Sequence, residues 1–204
     1  VSGSGAAGSA IIKLLNILGA KEIYNYNILG VVKKSNYHLY DEVVKDLIDR
    51  RLIISGDDYS NLDELMKEKD VFIGVSAKNI LTETMVNTMN SDSIVFALAN
   101  PEPEINPFLA KKAGARVVGS GRSDFNNQIN NVLVFPGLMK GALKSRAKSI
   151  TDEMKLTACI ALSQMVKDKD LNEDNILPNI FNKDVVDVIA KAVSEEVKKA
   201  EISL

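Results

Sequence analysis

Three glycines, Gly3, Gly5 and Gly8, stand in GSGAAG (Gly3–Gly8) at the spacing G-x-G-x-x-G. At that spacing the first glycine permits a tight turn out of a strand. The second lets a pyrophosphate approach the backbone, and the third lets the next helix pack close to the strand. With Ser4, Ala6 and Ala7 between them, these six residues form a candidate phosphate cradle, served by the free N–H groups of the helix that follows. A small-residue turn ahead of any helix has the same composition, so the motif alone leaves both readings open.

Asn27 lies about 20 residues farther on, where a dinucleotide-binding unit places the residue that reads the adenosine ribose. An acidic residue there would accept from the ribose diol and repel a 2′-phosphate. Asn27 is neutral, with one acceptor and one donor group, and Lys33 and Lys34 follow it. This inclines the candidate cofactor to NADP over NAD, with both open; the other reading is a plain turn asparagine before Gly30. Other polar groups fall just past apolar runs: Ser76-Ala77 after DVFIGV, and Asn100-Pro101 after IVFALA. Asn130-Asn131 precedes a helical stretch. Each amide suits an uncharged contact to a ligand, and each also suits a local role, Asn-Pro opening a turn and Asn130 or Asn131 capping a helix.

Other candidates carry less. Lone His38 cannot build a His-based metal site, and neither CxxC nor HExxH occurs. Asp57-Asp58 reads as a solvated turn. Glu102 and Glu104, stiffened by Pro101 and Pro103, receive no role. Arg122 and Asp124 either shape a site or pair with each other.

These residues need elements to hold them. Ile11, Ile12, Leu14, Leu15 and Leu18 give a helix closed by Gly19. A strand follows at Ile23–Tyr26, then helices at Tyr40–Ile48 and Leu62–Lys67. Asp70–Val75 is expected to be a strand buried on both faces. Thr82–Met89 reads as a helix capped by Thr82, Ile94–Ala99 as a buried strand and Arg116–Gly119 as a weaker one. Alternating strands and helices predict an α/β, Rossmann-like doubly wound parallel sheet with helices on both faces, and ligands at the carboxyl ends of the strands. Only Val1 and Ser2 stand where the strand before the glycine turn belongs, so the fold is expected to be N-terminally truncated. The second half is expected to be helical. It has a helix over Ile129–Leu143, another capped by Thr151, a break at Leu177-Pro178-Asn179, and a last helix striped by Val185, Ile189, Val193 and Val197. The polar stretch Lys167–Asn175 reads as a loop, and no composition shift forces a second domain.

The 204 residues carry 25 Lys and Arg against 27 Asp and Glu. That near-balance gives no electrostatic case for nucleic acid or an anionic membrane. The single cysteine excludes an internal disulfide and fits a reducing compartment, so a cytoplasmic location is expected. Ala10–Ala20 is too short and too polar to span a bilayer, and no signal peptide is read.

Three stretches read together carry a resemblance: DVFIGVSA (Asp70–Ala77), IVFALANPEPEI (Ile94–Ile105) and GSGRSDFNNQINNVLVFPGLMKGAL (Gly119–Leu143). With GSGAAG in front, and EMKLTACIAL (Glu153–Leu162) and ILPNIFNKDVVDVIAKAV (Ile176–Val193) behind, the chain resembles the NAD(P)-binding domain of malic enzymes over nearly all of residues 1–204. The resemblance implies oxidative decarboxylation of L-malate to pyruvate and CO2 with NAD(P)+ and Mg2+ or Mn2+. It implies that Gly3–Gly8 bind pyrophosphate and that Ser76 and Ala77 lie along the cofactor. Asn100 would meet the nicotinamide ribose or the substrate, and Asn130 and Asn131 would reach the nicotinamide or the malate carboxylate. The family's catalytic tyrosine and lysine and its acidic metal ligands would precede Val1, leaving no catalytic or metal-binding residue in this chain. A homodimer or larger assembly is also implied. Two other readings stay open: a non-catalytic dinucleotide-binding module, and another decarboxylating or amino-acid dehydrogenase.

Overall fold

The structure, a computed structural model, describes residues 1–202. It divides into two compact units, one over Val1–Gly121 and one from Arg122 onward.

The first unit is α/β. It runs α1 (Ala6–Ile17), β1 (Tyr26–Asn27), β2 (Gly30–Val31), a 3-10 helix at Lys34–Leu39, α2 (Glu42–Asp49), α3 (Leu62–Met66), β3 (Val71–Gly74), α4 (Glu83–Asn87), β4 (Ile94–Ala97), α5 (Pro107–Lys112) and β5 (Val117–Ser120). Strands β3, β4 and β5 form a parallel ladder, with Val71 opposite Ile94 and Ile94 opposite Val117. Ser2 extends this order by bridging in parallel to Gly74 on one side and Tyr26 on the other. From the Ser2 segment the chain therefore moves one way to reach Tyr26 and the other way to reach β3, β4 and β5. Right-handed crossovers running in opposite directions place their helices on opposite faces.

The apolar side chains sort accordingly into two clusters. Ile12, Val44 and Leu47 of α1 and α2 gather with Ile23, Val32 and Tyr40. Phe72, Val95, Ala97 and Val118 of the ladder gather with Leu65, Met85, Val86 and Ala110 of α3, α4 and α5. The starts of four helices are set by side-chain caps: Asp41 accepts from Val44 N–H, Asn61 from Glu64, Thr82 from Met85 and Asn106 from Phe108.

Several expectations need correction. The segment at Ile23–Tyr26 makes only a short parallel pairing. Tyr26 N–H donates to Val1 O at 3.0 Å and Gly3 N–H to Tyr26 O at 2.7 Å, while Ile54 N–H donates to Ile23 O at 2.7 Å and Val32 N–H to Asn25 O at 2.9 Å. The regular ladder lies at Tyr26–Asn27 instead, antiparallel to Gly30–Val31. Strand β3 is not buried on both faces. Phe72 and Gly74 are buried, Ile73 is half-buried and Val71 is 45% exposed, since the α3–α5 cluster takes one face only. Helix α5 and the 3-10 helix at Lys34–Leu39 were not expected; Asn106 and Pro107 are the cap and first-turn signals that mark α5.

The second unit is helical: a 3-10 helix at Asn131–Leu133, then α6 (Phe135–Lys144), α7 (Asp152–Ser163) and α8 (Asp184–Ile202). The single helix expected over Ile129–Leu143 is split at Val134, because Pro136 has no N–H to continue the ladder and belongs in a first turn. Thr151 caps α7 through Met154 N–H. Val185, Ile189, Val193 and Val197 are buried on one stripe of α8, packed with Met154, Ala158 and Leu162 of α7. Gly137 and Gly141 let α6 sit close against α8: a Cβ on Gly137 would lie 2.7 Å from Ile189 Cβ, and one on Gly141 2.7 Å from Ala190 O.

Candidate functional site

The glycine turn has three glycines with three different surroundings. Gly3 has φ +113°, and a Cβ there would lie 2.8 Å from the Val75 carbonyl oxygen. A Cβ on Gly8 would fall 2.0 Å from Gly3 O, so the first turn of α1 packs directly on the strand end. Gly5 is different. A Cβ on it would meet nothing within 4 Å. Its bareness is not demanded by the protein, and the open space beside it is where a phosphate would approach. No side chain caps α1, and no acidic residue stands in its first turn. Its terminal N–H groups and positive dipole end are left for an anion.

Asn25, which drew no attention in the sequence, holds this turn from beneath. It is fully buried, donates through Nδ2 to Val1 O at 2.9 Å and Gly3 O at 3.0 Å, and accepts from Ser4 Oγ at 2.6 Å. Ser4 is thus tied inward through its hydroxyl, and the peptide groups of Ser4, Ala6 and Ala7 are what the turn can offer a phosphate. Asn27 ends β1 and accepts from Leu29 N–H at 2.8 Å, which makes the tight turn before Gly30. Its Nδ2 donors remain for a ribose hydroxyl or a phosphate.

The loops after β3 and β4 lie at the same end of the sheet. Ser76 and Ala77 are exposed. Ser76 Oγ sits 2.8 Å from Ser2 Oγ, which links the strand carrying the glycine turn to the loop after β3. Asn100 is exposed, and its bond to Pro101 is cis. Between these loops lies the fully buried carboxylate of Glu104. It accepts from Ser76 N–H at 2.9 Å and Ala99 N–H at 3.0 Å. Glu102, by contrast, is a surface residue paired with Lys78 at 3.2 Å.

Asp57 proves to be a turn residue, as its sequence setting suggested. It accepts from Ser35 Oγ at 2.5 Å and from the Ser55 hydroxyl, and these two bonds hold its carboxyl below the usual range. Among the described residues no group of three His, Cys, Asp or Glu side chains could hold a metal ion.

In the second unit, Asn130 accepts from Val132 N–H at 3.0 Å and so caps the 3-10 helix. Asn131 is exposed on that helix. Arg122 and Asp124 pair with each other through two bonds, at 2.9 and 2.7 Å. Asn127, in the same motif, is the residue overlooked here. It is buried, with φ +53°, and clamps the 173–176 loop by donating to Glu173 O at 2.8 Å and accepting from Ile176 N–H at 3.0 Å.

A parallel sheet whose strand order reverses beside a glycine turn, with an uncapped helix behind it, defines the class of dinucleotide-binding α/β domains. The comparison with known proteins then narrows the class to a family. The family model described as "Malic enzyme, NAD binding domain" matches residues 15–201. The chain is 42% identical over 197 residues to the NAD-dependent malic enzyme of Geobacillus stearothermophilus, covering 96% of this chain and 40% of that protein. It is 36% identical over 212 residues to the NADP-dependent malic enzyme of Salmonella typhimurium, covering 96% of this chain and 27% of that protein. The crystal structure of malic enzyme from Pyrococcus horikoshii superposes with a TM-score of 0.87 at 36% identity, over 98% of this chain and 48% of that one. The chain belongs to the malic enzyme family and corresponds to its NAD-binding domain. It spans less than half the length of each of these relatives.

Proposed function

We propose that this chain is the cofactor-binding half of an enzyme that oxidises and decarboxylates L-malate to pyruvate and CO2, passing a hydride to NAD(P)+. The observation that carries the reading is Gly5. It is a glycine with open space beside its backbone, at the mouth of an uncapped helix, next to the strand where the sheet order reverses. On this reading Gly3–Gly8 hold the pyrophosphate and Asn27 lies at the adenosine ribose. Ser76, Ala77 and Asn100 line the nicotinamide side. Asn130 and Asn131 serve the nicotinamide or the substrate carboxylate, with Asn131 the freer of the two because Asn130 is committed to its cap. The absence of charge on Asn27 favours NADP, since nothing there repels a 2′-phosphate.

The divalent cation, Mg2+ or Mn2+, would polarise the malate C2 oxygen and steady the enolate formed on loss of CO2. The residues described in this chain do not provide a donor set for it, and its ligands and the proton-transfer groups are assigned to residues outside the chain. A cytoplasmic, homo-oligomeric enzyme is part of the same proposal. Among the described residues no helix is long and apolar enough to cross a membrane.

The test is turnover by the intact protein carrying this chain. L-malate with Mn2+ should reduce NADP+ or NAD+, and folded protein that reduces neither would overturn the reading. Asn131→Ala removes an amide without touching the cap. It should lower kcat/KM by about 5- to 150-fold through the loss of one ligand hydrogen bond of about 1–3 kcal/mol. An unchanged kcat/KM would remove Asn131 from the site.

A further inference from the structure

Glu104 is a carboxylate with no exposure to solvent. Among the described residues no lysine, arginine or histidine pairs with it; Lys78, on the loop after β3, pairs with Glu102 instead. Burying such a group without partners is costly, so its hydrogen bonds define why it is there. One oxygen, Oε1, accepts from Ser76 N–H at 2.9 Å and lies 3.4 Å from Ser76 Oγ. The other, Oε2, accepts from Ala99 N–H at 3.0 Å. The flat fork of the carboxylate thus takes one loop on each oxygen: the loop after β3 and the loop after β4.

The surroundings are built for it. A Cβ on Gly74 would lie 2.3 Å from Glu104 Cδ, so the strand residue beneath the carboxylate has no room for a side chain. The backbone of the same segment reinforces the tie, with Asn79 N–H donating to Pro103 O at 3.1 Å and Leu81 N–H to Glu104 O at 3.0 Å. The network continues through Ser76 Oγ to Ser2 Oγ and so to the strand that opens the glycine turn.

Each residue clamped by Glu104 is followed at once by one that the proposed function places at the cofactor: Ala77 after Ser76, and Asn100 after Ala99. We infer that Glu104 is a positioning residue that sets the separation of the two loops flanking the nicotinamide half of the dinucleotide. This rests on the dinucleotide reading above and deepens it. The adenosine half, on the Asn27 side of the glycine turn, receives no direct contact from Glu104, so the effect of Glu104 should be confined to one end of the ligand.

Glu104→Gln tests this in the intact protein. Glutamine keeps the shape but turns one acceptor into a donor facing an N–H. Two ligands are titrated: NADPH or NADH, whichever the wild type binds more tightly, and its counterpart without nicotinamide, 2′-phospho-ADP-ribose or ADP-ribose. The reduced dinucleotide should bind about tenfold more weakly, with a changed nicotinamide emission, while the nicotinamide-free ligand changes by less than about twofold. Equal weakening of both ligands, or weakening of neither, would overturn the positioning role alone. Wild-type protein that binds neither dinucleotide would overturn this inference together with the reading beneath it. If Glu104→Gln does not fold, Glu104→Asp takes its place, since it keeps the carboxylate but is one methylene too short to meet both the Ser76 and the Ala99 N–H groups. The same selective loss supports the inference, and an equal loss overturns it.

Discussion

At the scale of single residues, the glycine turn separates what the fold requires from what a ligand requires. Gly8 is a packing glycine, because its missing Cβ is replaced by a carbonyl oxygen only 2.0 Å away. Gly8→Ala should destabilise the protein by about 1–3 kcal/mol, the usual cost of overpacking, seen as a lower denaturant midpoint. Gly5 has φ −71° and open space, so alanine fits its backbone without a clash. Gly5→Ala should leave stability within about 0.5 kcal/mol and still weaken NAD(P)H binding by tenfold or more, on the order of the 1.4 kcal/mol that one blocked phosphate approach would represent. The two variants should therefore fail in different assays, and loss of stability in Gly5→Ala would show that this glycine is structural. The motif glycines were legible in sequence because their spacing marks a tight turn packed against a helix, which Gly3 and Gly8 make. Asn25 and Glu104 were not. Glu104 bonds to Ser76 across 28 residues, and a glutamate following Pro103 in a proline-rich turn has the look of a loop charge until the fold buries it.

At the scale of elements, what read well was what is encoded locally. Thr82 and Thr151 cap helices where capping residues precede apolar periodicity, and the stripe of α8 was visible at four-residue spacing. What read poorly depends on neighbours. The Ile23–Tyr26 segment has strand composition, but its backbone bonds are shared among Val1–Gly3, Val32 and Ile54 rather than forming one regular ladder. Gly137 and Gly141 of α6 have their reason in α8, whose backbone and side chains fill the space a Cβ would need. Gly141→Ala sets two effects against each other. Alanine gains about 1 kcal/mol of helix propensity, while its Cβ would sit 2.7 Å from Ala190 O and 2.8 Å from Val193 Cβ. A rigid backbone oxygen cannot yield as a side-chain tip can, so overpacking should win and the net change should be a destabilisation of about 1–2 kcal/mol. Chemical denaturation would measure it, and a stabilised variant would show that α6 moves away from α8 at little cost.

At the scale of the molecule, the parallel α/β plan was legible because strands and helices alternate, and it is the strand order, rather than any one residue, that points to a ligand crevice at the carboxyl ends of the strands. The change to helices beyond Gly121 was legible from apolar spacing, although no composition shift marks the boundary itself. If the crevice binds a dinucleotide, that ligand must stabilise the folded chain, because it selects a glycine turn that exists only when Val1–Gly3 is seated between Tyr26 and Gly74. At a hundred times its Kd, one bound ligand contributes about 2.7 kcal/mol. At about 2–4 °C per kcal/mol for a chain of this length, the thermal midpoint should rise by roughly 5–10 °C. NADPH and NADH should both produce a rise, with the larger one from NADPH if the neutrality of Asn27 sets the preference. Gly5→Ala should melt at the wild-type temperature without ligand and show little of the rise with it. A full rise in Gly5→Ala would mean that the dinucleotide stabilises the protein from somewhere other than the glycine turn.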